Sequence, residues 1–254
     1  MRENKDYKNE ALAALKGHWA PSVLAVLVYF LIVVVLMVPY EAKVLTLSDP
    51  TDLEAAKSVM TWFWFYAAGM LLVVGPLVIG MVNAFKDLLL AGDDRVVANE
   101  FRIGFGRWLR HVWGYLLKGL LVTLWSLLFL IPGIIKLFSY AMTNYILVDY
   151  PNLKVSKAIA LSNEMMKGHK YDLFYLYLGF AGWYLLSILT LGIGFFWMIP
   201  YAQVAQASFY QDVKAEWLAS RAEPASMPLI QDEPAAPAPA AAKRDENPED
   251  YMPR

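Results

Sequence analysis

Lys136 and Ser139 stand three residues apart in an otherwise uncharged run, a spacing that puts both on one helical face. A serine beside a lysine could form a nucleophile and base pair, provided that burial activates the lysine. Four amides, Asn83, Asn144, Gln203 and Gln206, fall within or at the ends of long apolar runs, the last two on one helical face. Such amides either hydrogen-bond between helices, worth roughly 1 kcal/mol each, or line a polar cavity for a lipid head or a peptide. Lys118 lies six residues into another apolar run, where its aliphatic stem can snorkel the charge to the interface. Arg102, Arg107, Arg110, Lys167 and Lys170 lie outside the apolar runs in basic, aromatic-containing stretches. They are candidate contacts for anionic lipid at about 1 kcal/mol per charge, although the same charges also serve to fix orientation.

Other chemistry finds no pattern. His18, His111 and His169 are far apart and carry no ligand spacing, so no metal is expected. The chain has no cysteine, which removes thiolate nucleophiles and cysteine metal sites. Gly104-Phe105-Gly106 and Gly192-Ile193-Gly194 lack the strand and third glycine of a phosphate loop. Asp49, Asp52, Asp93 and Asp94 read as turn and cap carboxylates. No basic face with interleaved aromatics exists outside the apolar segments, which argues against a nucleic-acid partner. The expectation is a protein that is not an enzyme and holds no cofactor.

The elements that must position these groups are membrane helices. Of 254 residues 58% are hydrophobic and 18% charged, with a mean hydropathy of +0.40, well above a soluble domain. The predicted spans are 20–40, 60–85 with a kink at Gly75-Pro76, 112–131, a short 133–148, 172–190 and 195–210 with Pro200 inside. The apolar turn Ile131-Pro132-Gly133 is expected to fold the third and fourth spans into a tight hairpin, because proline fixes φ and glycine tolerates a left-handed turn. Leu191 to Gly194 forms a second uncharged tip. The fold class is therefore all-α, a polytopic membrane protein with six transmembrane helices in three hairpins.

Between spans lie amphipathic stretches expected at the interface. Arg2 to Gly17 carries an Ala11, Leu12, Leu15 stripe and a glycine C-cap. Thr51 to Glu54 fits a capping box. Residues 86–110 mix arginines with Phe101, Ile103, Phe105, Trp108 and Leu109, and residues 151–170 place Val155, Ala158, Ile159, Ser162, Met165 and Met166 near one face. Three domains follow: 1–19, an N-terminal amphipathic helix; 20–217, the membrane domain; 218–254, a Pro/Ala-rich tail expected to be disordered. An N-terminal secretory signal is disfavoured, since the first run is long and no A-x-A site follows.

Lysine and arginine concentrate in the N-terminal segment and in the second and fourth loops, whereas Lys43 and Lys57 stand on the other side with Lys136 near its boundary. The positive-inside rule then predicts cytoplasmic N and C termini. Gly17-His18-Trp19, His111 and Gly168-His169-Lys170 precede the odd spans, Pro76, Pro132 and Pro200 fall in the even ones, and residues 83–87 resemble 208–212. Three copies of surface helix plus hairpin, or chance likeness at membrane boundaries, would account for this.

The segments LWSLLFLIPGIIKLFSYAMTNYILVDYP, LSNEMMKGHKYDLF and GWYLLSILTLGIGFFWMIPYAQVAQASFYQD, in that order, resemble the bacterial membrane-protein family filed as domain of unknown function 975. The resemblance runs from Arg2 to Asp212 and is densest from Leu124 onward. Lys154 departs from it, standing where a capping serine is usual. In layout the chain is also distantly similar to the membrane domain attached to some glycerophosphodiester phosphodiesterases. The resemblance implies a multi-pass protein of the bacterial plasma (inner) membrane and brings no reaction or catalytic residue. The function expected is non-catalytic binding of membrane lipid or of another membrane protein or peptide. The alternative is a small transporter or an antimicrobial-peptide export or immunity factor, with a polar cavity lined by Asn83, Asn144 and Gln203.

Overall fold

The computed structural model describes residues 2–47 and 51–222; within them the chain is helical and contains no strand. Asp49 and the tail beyond Ala222 lie outside the described residues. The order is α1 (Asn4–Leu15), α2 (Trp19–Leu45), α3 (Leu53–Gly69), α4 (Gly75–Ala91), α5 (Val96–Gly106) and α6 (Trp108–Leu128). Then follow α7 (Leu130–Ser139), α8 (Thr143–Asp149), α9 (Val155–Met165), α10 (Lys170–Leu178), α11 (Ala181–Leu189) and α12 (Phe195–Ala222).

Five stretches are long and apolar enough to cross a membrane: Trp19–Leu45, Leu53–Ala91, Trp108–Leu128, Leu130–Asp149 and Lys170–Leu189. Their outer faces are apolar and exposed, as in Val35, Trp64, Leu127 and Leu185, which suits a hydrocarbon solvent. The predicted sixth span is the first part of α12 and does not qualify as a span, because Gln203, Gln206 and Ser208 dilute its hydropathy. It is nevertheless central: Val204, Ala205, Ala207, Phe209, Tyr210 and Val213 are fully enclosed. The same helix runs on to Ala222, five residues past the point where the tail was expected to begin.

Several turns differ from expectation for physical reasons. The break between the third and fourth apolar stretches falls at Phe129, whose extended backbone (φ −155°, ψ 138°) separates α6 from α7. Pro132 and Gly133 lie inside the first turns of α7, where a missing N–H costs nothing. Gly133 is there for proximity, since a Cβ would come within 2.6 Å of Ser126 Cα. Gly194 repeats this against Ser187 Cα at 2.8 Å, while Leu191 (φ 53°) and Gly192 (φ 91°) make the left-handed turn. The fourth span is interrupted at residues 140–142 and the fifth at Gly179-Phe180. The expected distortion before Pro76 is a π-helical turn, Met70–Val74. At the start of α3 Asp52, not Thr51, is the cap, accepting from the Glu54 and Ala55 amides at 3.0 and 3.1 Å.

The short helices α1, α5 and α9 are packed against other helices. α1 lies along α12, α5 along α4, and α9 against α8. α5 and α9 each seat on the α-helix that comes just before them in the chain, and α1 seats on the last. Tyr7, Ala11 and Leu15 are buried in this way while Leu12 is exposed. The whole predicted face of α9, from Val155 to Met166, is buried. Gly17 and Gly168, both at φ +88°, supply the left-handed joints into α2 and α10. α5 keeps Phe101 and Phe105 outward and approaches α4 through glycines: a Cβ at Gly80 would strike the Glu100 carbonyl, and one at Gly104 would lie 2.7 Å from Pro76 O.

Candidate functional site: a side cavity and the polar cap beside it

Between α10, α11 and α12 lies a cavity of about 250 Å³ lined by Tyr177, Tyr184, Ile199, Ala202, Gln203 and Gln206. The helix break at Gly179-Phe180 creates it by offsetting α11 from α10, so that Tyr177 and Tyr184 line it from either side. Lys8 of α1 closes the break, donating from Nζ to Gly179 O at 2.6 Å and lying 4.9 Å over the Phe180 ring. Phe180 packs edge-on against Tyr201 of α12 at 4.9 Å. The lining carries phenols, amides and alkyl groups and no charge. Gln203 Oε1 is shut from solvent and receives no donor among the described residues, an arrangement that a ligand donor would relieve. Gln206 lies beside the Tyr177 hydroxyl.

Gln203 and Gln206, which share a face of α12, both line the cavity, but Asn83 and Asn144 do not. Asn83 is fully buried and donates from Nδ2 to Ile79 O and Asn144 O, each at 2.9 Å. Asn144 Oδ1 accepts from Lys118 Nζ at 3.3 Å. The lysine expected to reach the interface turns across to α8 instead. Nor does Lys136 meet Ser139: its Nζ lies 5.0 Å over the Trp125 ring and 5.6 Å over Tyr140. Ser139 Oγ donates to Ile135 O at 2.7 Å, so the two form no nucleophile and base pair.

The end of the bundle where Arg2 meets α12 is capped by charges the sequence did not single out. Asp149 of α8 holds Lys86 of α4, Lys214 of α12 at 2.5 Å and the Tyr210 hydroxyl at 2.8 Å. Arg2 and Tyr7 hold Asp212, and Arg221 holds Glu164 at 2.5 Å. Burial pushes the Asp212 carboxyl up, but Arg2 and the Tyr7 hydroxyl outweigh it and leave it below the usual range. Burial, followed by the bond to Asp212, raises the Tyr7 phenol. Glu100 is enclosed beside Gly80 with neither carboxylate oxygen bonded among the described residues, and burial raises it to about 8.

Of the basic candidates, Arg107 donates to Pro151 O at 2.7 Å and Arg110 to Tyr150 O at 3.0 Å, stapling the α8–α9 link. Arg102 bonds Asn99 Oδ1 at 3.0 Å. Lys167 is exposed and Lys170 half-buried, on either side of the Gly168 joint. Tyr177 and Tyr184 were missed by sequence reading, although a separation of seven residues, two helical turns, within a span was the signal that could have found them. Asp149, Lys86 and Lys214 had only their place at the ends of apolar runs to mark them.

No curated protein and no solved structure matches the chain. The cavity and Asp149 both fall within residues 128–216, and it is this stretch that is similar to the family described as a protein of unknown function (DUF975).

Proposed function

We propose that this chain is a multi-pass membrane protein whose side cavity binds the uncharged, hydroxyl- or amide-bearing head of a membrane amphiphile without acting on it chemically. The observation that carries this reading is Gln203 Oε1, enclosed in the cavity wall and lacking a donor among the described residues. A head bearing O–H or N–H groups would satisfy it, with Gln206, Tyr177 and Tyr184 beside it and Ile199 and Ala202 meeting the first carbons of the chain. About 250 Å³ holds roughly eight waters at ~30 Å³ each, enough for a glycerol-sized head but not for a whole lipid. The absence of charge in the lining disfavours an anionic head at this place. A non-catalytic role is favoured by Lys136 and Ser139 being engaged apart from one another.

Six crossings, with both ends in the cytoplasm of a bacterial cell, fit this reading. The Arg2–Asp212 ion pair joins the first helix to the last at one end of the bundle, which calls for an even number of crossings, so the first half of α12 is taken as the sixth. The lysines and arginines gathered at that end support its being cytoplasmic. The transport alternative wanted Asn83 and Asn144 in a wet cavity with Gln203, and their bond to each other supports it less. The test is lipid mass spectrometry after purification in native nanodiscs: the wild type should retain an uncharged lipid enriched over the bulk membrane, and Q203L should lose the enrichment. A wild type whose retained lipids match the bulk composition refutes the proposal.

A further inference from the structure

Lys118 stands midway along α6, within a stretch apolar enough to cross a membrane, two turns further in than Arg110. Its ammonium has three N–H donors and one acceptor, Asn144 Oδ1. No Asp or Glu among the described residues pairs with it. A charged side chain at this depth ordinarily meets an opposite charge, because the hydrocarbon offers no solvation. The Asn144 side-chain amide is a second unfilled donor at the same spot: its oxygen faces Lys118, and its Nδ2 has no acceptor among the described residues. Asn83 fixes the arrangement from beneath by bonding Asn144 O, and it is itself tied to Ile79 O. The place is half-open rather than sealed, since Lys118 and the residues on its own face of α6, Tyr115, Leu121 and Val122, are half-buried.

From these observations we infer that Lys118 and Asn144 form an intramembrane anion site, separate from the side cavity, that takes the single oxyanion of an acidic amphiphile lying in the bilayer. The cation supplies charge, the amide N–H supplies direction, and the half-buried Tyr115, Leu121 and Val122 on the same face of α6 give the attached chain an apolar surface to lie against. A free fatty-acid carboxylate and the phosphate of an acidic lipid share the required chemistry. The full-length chain in phosphatidylcholine nanodiscs is titrated with oleate, with phosphatidic acid and with the uncharged monoolein, and bound ligand is read by native mass spectrometry.

Wild type should bind oleate or phosphatidic acid at least tenfold more tightly than K118Q does, K118R should keep most of the affinity, and monoolein should not distinguish the three. Binding of oleate alone assigns a carboxylate ligand, and binding of phosphatidic acid alone a phosphate. N144L, which leaves the charge in place, should weaken the anion several-fold and guards against a K118Q chain that fails to fold. Equal anion binding by wild type, K118Q and N144L overturns the inference, as does a wild type that does not prefer either anion to monoolein.

Discussion

Arg2 grips Asp212 with two parallel bonds, Nε to Oδ2 at 2.7 Å and Nη2 to Oδ1 at 2.9 Å, across almost the whole length of the chain. Planar guanidinium and carboxylate match in this geometry. The pair is partly exposed, so its net worth is about 1 kcal/mol rather than the value of a buried bridge. Because Asp212 is held below the ordinary carboxylate range, its contribution is complete above the unfolded value near pH ~4 and is lost as pH falls through the lower folded value. R2Q and D212N should each lower the thermal midpoint by a few degrees at pH 7, and D212N should flatten the acid limb of stability below pH ~4. Thermal unfolding in detergent between pH 3 and 7 reads both.

Glu100 gives the opposite slope. Burial raises its folded value to about 8, so between the unfolded value near ~4.5 and about 8 the unfolded chain sheds a proton that the folded chain keeps. Stability should therefore fall as pH rises through that window and level off above it. The group is fully enclosed with no partner among the described residues, and removing its ionisation should be worth a few kcal/mol at pH 8 on an order-of-magnitude basis. E100Q is expected to be more stable than wild type at pH 8 and close to it at pH 5. Denaturant titrations at the two pH values decide it; a wild type whose stability is level from pH 5 to 8 removes the premise.

Five of the apolar stretches were legible as long helices, because an uncharged run of about twenty residues is long and apolar enough to cross a membrane. The face of α9 was legible too, since Val155, Ile159, Ser162 and Met166 recur at helical spacing. What covers such faces was not: α5, with arginines and aromatics, reads as a headgroup-depth helix, and only the isolated Gly80 and Gly104 hinted that it would press on α4. The turn at Phe129 was hidden by Pro132-Gly133, a pair that serves a bend or a first helical turn equally well. α12 was half read, because its amides look like the end of a span when they are the inner wall of a cavity. The Asp149 cluster was illegible, as three charges 63 and 65 residues apart carry no periodicity.

The α4–α5 contact has a sharp steric test. A Cβ at Gly80 would meet backbone, the Glu100 carbonyl and the Gly104 amide nitrogen, rather than a side chain that can swing away. Overpacking of this kind costs about 1–3 kcal/mol. G80A should lower the thermal midpoint by several degrees, whereas G119A, with nothing within 4 Å of its Cβ, should be neutral or slightly stabilising by helix propensity. Equal effects of the two substitutions would mean that α5 does not lie against α4.

Asp149 neutralises two lysines from helices far apart in sequence, Lys86 and Lys214, and Lys86 is almost wholly enclosed. Removing the single acid strands two cations, and leaving a buried charge unpaired costs about 3–5 kcal/mol. D149N should therefore be among the most damaging polar substitutions in the chain. A compensating change separates charge from mere shape: in D149N/K86M the enclosed cation is gone, leaving only the more exposed Lys214, and at least half of the lost stability should return. If D149N/K86M is as unstable as the sum of its single substitutions, Asp149 acts through packing with Tyr210 rather than by neutralising Lys86, and the cap is held together by contact rather than by charge.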